Sequence, residues 1–411
     1  MNRFITAPRN CTGCALCANV CAHDAINMVW NADGFLVPQV DATRCINCGA
    51  CVNACPAQPE HLEKLRAETG NPPEPPVAYG GWHKDKSTHL SSSSGGILSA
   101  LAQHTFKAGG CVFGVVWSSK DTAEYTKAEN MAELAAMRGS KYTQALPGTV
   151  YRKVKAELKK GRQVLFCGTS CQVYALKRYL RKEYAKLLLV DILCHGVPSR
   201  HLLQSYIRGF EKATGKTIDH IQFRHKAGNW QQYHVKKCFT DGSSVSHKNW
   251  DDTFIRLFVG DFALNEACYN CPHARFPRVG DITLGDFWGE LQQLHPEWPI
   301  ADGIGSILGN SAKGKRLLME LSNAQYIELK SVSLEEQIHG QRETYIRRQP
   351  QLPQLRRYAL TMLKQQRLSV LCHKLFDCEQ CGPFRLRKGC ILNKLYKKAR
   401  RIRHRITDWI S

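Results

Sequence analysis

The chain has 411 residues, 43% hydrophobic and 22% charged, a globular composition with room for roughly two or three domains and a sizeable core. No apolar run approaches the ~18 residues of a membrane helix, and the segment before Cys11 has no apolar core of a signal peptide, so a cytoplasmic location is expected. Nineteen cysteines without an export signal point to metal ligands or redox thiols rather than disulfides, and a net charge of +22 suits nucleic acid, an anionic membrane surface or an acidic partner.

Residues 1–62 carry two matched runs, Cys11-x-x-Cys14-x-x-Cys17-x-x-x-Cys21 and Cys45-x-x-Cys48-x-x-Cys51-x-x-x-Cys55-Pro56. This is the spacing of a bacterial-type dicluster ferredoxin fold, with two 4Fe–4S clusters. Three closely spaced thiolates wrap one face of a cubane, and the fourth, carried off by the next helical turn, reaches the other cluster. One cluster is therefore assigned to Cys11, Cys14, Cys17 and Cys55, the other to Cys45, Cys48, Cys51 and Cys21. Zinc, usually held by two CxxC pairs, fits eight cysteines in two such runs poorly. Between the runs, apolar stretches flank Asn31-Ala32-Asp33-Gly34, the pattern of a β-hairpin. Ala22 stands where a second Cys-Pro is usual; the proline shapes a turn and is not a ligand.

Residues 63–80, with Asn71-Pro72-Pro73-Glu74-Pro75-Pro76, read as a proline-rich linker that separates the module from the rest of the chain. Residues 81–345 then form a larger domain, the alternation of strand and helix signals starting near 77 and weakening after about 200. Helices are expected over 97–109, 150–160 and 172–185, and strands over 110–116, 163–166 and 187–193. Ser91–Gly96 precedes the first helix, where serine reads as a plain N-cap or, with glycine, as a loop whose N–H groups meet a phosphate. There is no GxGxxG, and Gly309-x-x-x-x-Gly314-Lys315 is followed by Arg316 where a P-loop needs Ser or Thr. Cys171 and Cys194 fall at the ends of apolar strands, where α/β folds place ligands, and Cys268 and Cys271 form a CxxC. Together they read either as buried structural cysteines or as four thiolates for a third cluster.

Six segments in order resemble one family: 91–101 (SSSSGGILSAL), 139–142 (GSKY), 165–172 (LFCGTSCQ), 193–199 (LCHGVPS), 223–230 (FRHKAGNW) and 268–289 (CYNCPHARFPRVGDITLGDFWG). It is the β subunit of coenzyme F420 hydrogenase and dehydrogenase, with its reductase relatives, and the resemblance runs from roughly 80 to 320. It implies FAD, with Ser93, Ser94, Gly95, Gly96 and Lys141 as candidates for holding the flavin's phosphates, and a proximal 4Fe–4S cluster on Cys171, Cys194, Cys268 and Cys271. Ser170 stands where the family often has proline, which alters the loop's rigidity and not the ligand. The fold class expected is α+β and α/β: a dicluster ferredoxin, a larger mixed α/β flavin-binding domain and a basic helical C-terminal region.

The function implied is an iron–sulfur flavoprotein oxidoreductase. It takes electrons from a ferredoxin or a redox enzyme and passes them through the clusters and FAD to a small organic substrate. An association of fused bacterial relatives with polysaccharide synthesis comes with the resemblance. The alternative is an electron-transfer subunit that feeds a partner enzyme. His195 and Asp286 are the candidates for a catalytic proton donor.

Residues 346–411 end in a basic stretch, with ten Lys/Arg and no Asp/Glu from Arg385 to Arg405. Leu392, Leu395, Ala399, Ile402, Ile406 and Trp409 fall on one helical face, which suits peripheral contact with an anionic membrane surface at the inner face. A protein-binding helix is the alternative, and no nucleic-acid fold accompanies the charge. Cys378-x-x-Cys381 has no firm second pair, so Cys372, Cys378, Cys381 and Cys390 read as free thiols.

Overall fold

The computed structural model describes residues 10–67, 75–340 and 353–376. The first cysteine run leads into the short helix Leu16–Val20 and the second into Ala50–Ala54. Between them β1 (Ile26–Trp30) and β2 (Leu36–Val40) pair antiparallel, Trp30 opposite Leu36. The expected turn closes them: Asn31 Oδ1 accepts from the N–H groups of Asp33 and Phe35, and Gly34 takes φ 77°, a region open to glycine.

The larger domain is built on nine strands. They are β3 (Val77–His83), β4 (Cys111–Ser119), β5 (Thr122–Ala128), β6 (Ala145–Leu146), β7 (Val164–Thr169) and β8 (Leu187–Ile192), then β12 (Ile282–Asp286), β13 (Gly305–Gly309) and β14 (Ile327–Val332). The order is β14-β3-β13-β12-β8-β7-β4-β5-β6. β12, β8, β7 and β4 run parallel at the centre, and antiparallel strands flank them. The central strands are largely apolar because both faces are covered. Alternate residues feed the two cores: Val164, Phe166, Leu187 and Leu189 pack with the helices Val150–Lys159 and Ser170–Leu180. Leu165, Cys167, Leu188 and Val190 pack on the other face with Ile97–Lys107 and Ala312–Asn323.

A second, antiparallel sheet, β9 (Ile218–His225), β10 (His234–Phe239) and β11 (Ser244–Lys248), fills the region where the sequence pattern weakens. It shares a core with the helices Arg200–Thr214, Thr253–Val259, Pro353–Lys364 and Leu368–Phe376. Cys372 is buried inside that core. Cys378, Cys381, Cys390 and the basic tail lie outside the described residues. Among the described residues, no helix is long and apolar enough to cross a membrane.

Two boundaries move. The helix Pro59–Ala67 runs past residue 62, and β3 begins at Val77, inside the stretch read as linker, seated between β14 and β13. Nor does the linker hold the module apart. Cys14, Leu16 and Ala54 pack into the core of the large domain. Arg152 binds the carbonyls of Ala18, Asn19 and Cys21, and Arg178 those of Asn53 and Ala54. Gln144 bridges Thr12 O and Leu36 N, and Asn265 reaches Cys11 O.

Candidate cofactor sites

The structure gathers Cys11, Cys14, Cys17 and Cys55 around one small cavity of about 30 Å³, with Pro272 and His273 completing its wall. This is the crossed set that the spacing implies. Burial pushes the Cys14 thiol up to about 12, and Cys11 and Cys55 beside it add to the rise. Burial drives Cys17 well up, with Cys14, Cys11 and Cys55 contributing. Such thiols give up their protons only to a strongly positive partner, which iron supplies. Cys51 is raised by burial, with Cys21 and Cys45 as its charged neighbours, so three members of the second crossed set come together. That set lies nearer the surface: Cys48 is exposed, and the adjoining Ile46 is 61% exposed.

The third set follows from strand register. Thr169 on β7 lies level with Ile192 on β8, and Ile192 with Leu284 on β12. Cys171, Cys194 and Asp286 each stand two residues further on, so parallel strands deliver all three to one end of the sheet. Burial drives the Cys171 thiol well above its ordinary value, and Cys271, Cys194 and Cys14 raise it further. Cys268 Sγ accepts from the N–H of Val197, three residues after Cys194, at 3.4 Å. Two buried side chains hold this arrangement. Asp191 accepts from Ser170 Oγ (2.7 Å), Thr283 Oγ1 (2.6 Å) and Arg278 Nη2 (2.6 Å), and Arg278 also reaches Ser170. This clamp ties the turn of Cys171 to the loop that follows Cys271.

Cys14, of the ferredoxin module, also adds to the rise at Cys171. Tyr151, fully buried, stands between them: its hydroxyl donates to Cys14 O at 2.7 Å, and Cys14 and Cys171 both raise its pKa on top of the larger effect of burial.

A cavity of about 990 Å³ opens at the same end of the sheet, lined by Cys171, Cys194 and His195 at one side and by Ser92–Gly96 at another. That volume suits a large organic cofactor. The serines do not cap the helix. Gly96, at φ 81°, is the N-cap and provides no side-chain bond, while Ser92 Oγ donates to Thr88 O and Ser94 Oγ to Ile304 O. Gly95 passes so close to Gly81 and Gly305 that a Cβ there would lie 2.2 Å from Gly81 O. The carbonyls of Ser93 and Ser94 are drawn to Trp230 Nε1 (3.0 Å) and Lys226 Nζ (2.7 Å), neither of which lines the cavity. In planar trans peptides the next N–H groups, of Ser94 and Gly95, then point the other way. With the first turn of the helix Ile97–Lys107 they form a patch of donors suited to an anion.

Lys141 lines the cavity, but its ammonium is spent. It donates to the carbonyls of Ala136, Met137 and Arg138 at 3.1, 2.9 and 2.9 Å, and burial pulls its pKa down to about 7. Arg138, bonded to Ser91 and Ser99 beside the loop, is the cation better placed for a phosphate. His195 and Asp286 both line the cavity: His195 Nε2 lies 2.9 Å from Asp261, and Asp286 accepts from Arg224 Nη1 at 2.7 Å. Arg224 is itself buried against Tyr233, at 4.0 Å from the ring centre, and Trp288. Nothing in the sequence marks Arg138, Tyr151 or Asp191 for a role, whereas Lys226, Trp230, His273 and Arg278 lie inside the family-like segments.

Residues 78–150 match the N-terminal model of coenzyme F420 hydrogenase/dehydrogenase, beta subunit, and residues 161–335 its C-terminal model. Residues 10–58 match a 4Fe-4S dicluster domain. No curated protein matches in sequence. Among solved structures, a chain of the xenon-derivatised F420-reducing NiFe hydrogenase complex from Methanosarcina barkeri is similar at 15% identity and a TM-score of 0.46. The match covers 75% of this chain and 95% of that one. The chain belongs to the coenzyme F420 hydrogenase/dehydrogenase beta-subunit family and carries a 4Fe-4S dicluster domain at its N terminus.

Proposed function

We propose that the chain is an iron–sulfur flavoprotein oxidoreductase with its centres in one line. Cys45, Cys48, Cys51 and Cys21 hold the outer cluster, where a ferredoxin or a redox partner enzyme delivers electrons. Cys11, Cys14, Cys17 and Cys55 hold the inner one, and Cys171, Cys194, Cys268 and Cys271 a third. FAD occupies the large cavity. Cubanes carry single electrons, and a flavin collects two and hands them on as a pair to a small organic acceptor. A setting in polysaccharide synthesis is carried over from the family's fused members, and peripheral membrane contact from the charge pattern of the tail.

The observation that carries this reading is the placement of Cys171, flanked by Cys271 and Cys194 and also by Cys14 of the ferredoxin module. Buried structural cysteines would have no reason to gather beside a cluster site at the mouth of a cavity. The residues do the positioning. The Asp191–Arg278 clamp fixes the turn of Cys171, Lys226 and Trp230 turn the serine loop's N–H groups toward a phosphate, and Arg138 adds a charge beside them.

Anaerobic purification with iron and flavin analysis tests the proposal. Three four-iron clusters give about twelve iron per chain, and the proposal expects these with one flavin. Clusters without flavin identify an electron-transfer subunit for a partner enzyme instead.

A further inference from the structure

We propose that His273 donates a hydrogen bond to the iron–sulfur group held by Cys11, Cys14, Cys17 and Cys55, and so raises its potential above that of the outer centre. The inference rests on the cluster assignment above and adds a role to a residue outside the cysteine set.

His273 lines the same small cavity as those four cysteines. It is 5% exposed, and its Nδ1 is buried with no hydrogen-bond partner among the described residues. A polar atom left so is costly, and native structures rarely tolerate it without a ligand or a function. The ring cannot turn away easily. It packs on Tyr174 with centroids 5.1 Å apart, and its carbonyl accepts from Arg278 Nη1 at 2.9 Å. Arg278 is in turn fixed to Asp191.

The chemistry of the ring fits the role. An imidazole carries at least one N–H whatever its charge. Sulfide and thiolate sulfurs only accept hydrogen bonds, so a ring nitrogen facing them must be the protonated one. Such a bond favours the more negative, reduced state and raises the potential, a recognised control on iron–sulfur centres. His273 also lies two residues after Cys271, so the donor sits where the inner and third sets meet. A higher potential there makes transfer from the exposed outer centre downhill.

The test is a redox titration of the full-length, cluster-loaded chain, followed by electron paramagnetic resonance, for the native protein, His273→Phe and His273→Gln. The expected result is a more negative midpoint for the inner centre in His273→Phe. The outer midpoint stays unchanged, and His273→Gln, which keeps an N–H donor, stays near the native value. Labelling histidine with nitrogen-15 in the native chain should show nitrogen coupling to the reduced inner centre. An unchanged inner midpoint in His273→Phe with full iron content overturns the proposal, as does absence of that coupling; the labelled native chain decides the matter if His273→Phe loses iron. A native chain with no four-iron clusters would contradict the proposed function, a separate outcome visible in the iron analysis.

Discussion

The hydroxyl of Tyr151, in the large domain, donates to the backbone carbonyl of Cys14, in the ferredoxin module, at 2.7 Å. Both groups are buried, and this one bond joins two domains next to two cysteine sets. Tyr151→Phe removes the donor and leaves the carbonyl unsatisfied. It should lower stability by about 1–3 kcal/mol in denaturant unfolding while iron content stays unchanged.

Arg152 and Arg178 fasten the module through main-chain carbonyls on both of its short helices. The double variant Arg152→Ala, Arg178→Ala should loosen the dock without touching a ligand. Hydrogen exchange over residues 11–55 is expected to accelerate, while exchange in β7 and β8 stays as in the native chain.

Asp191 and Arg278 form a fully buried ion pair behind Cys171. Removing one partner strands the other charge, at a cost of about 3–5 kcal/mol. Arg278→Leu should therefore destabilise the fold strongly and lose the iron of the third set first, seen as a fall from about twelve to about eight iron per chain.

His89 anchors the end of the helix Lys86–Ser91, beside the serine loop, through Nε2 and Gly303 O. Burial pulls its pKa down to about 4 despite that bond. The unfolded chain takes up this proton near pH 6.5 and the folded one only near pH 4, so between those values the unfolded state holds more protons. Stability contributed by the neutral ring is complete above about pH 6.5 and is lost as pH falls to about 4, by at most about 3 kcal/mol. His89→Gln should flatten the melting temperature over that window.

Spacing made part of this legible in the sequence. The two cysteine runs imply their crossed grouping, Asn31–Gly34 implies its turn, and Cys171 and Cys194 stand where apolar strands end. What escaped was made through space. Gln144 meets Thr12, and Arg178 meets Ala54, across more than a hundred residues of chain, and no periodicity records such contacts. The proline-rich stretch therefore read as a tether to a separate module, and the module is docked. Ser91–Gly96 read as a cap or a cradle with equal local chemistry; Lys226 and Trp230, far along the chain, decide which way its peptides face. Lys141 looked suited to a phosphate because a lysine's charge is visible in sequence and its carbonyl partners are not.

In the proposed function, electrons pass from the ferredoxin module to the flavin through the thiolates around Cys171. Rapid mixing of the flavin-loaded, full-length chain with a reduced ferredoxin, followed at the flavin absorbance, tests it directly against Cys171→Ser. Cys171→Ser is expected to keep its flavin and about eight iron, with flavin reduction slowed at least about tenfold, a barrier raised by about 1.4 kcal/mol or more. Flavin reduction at the native rate in Cys171→Ser, with the third set's iron absent, would contradict it.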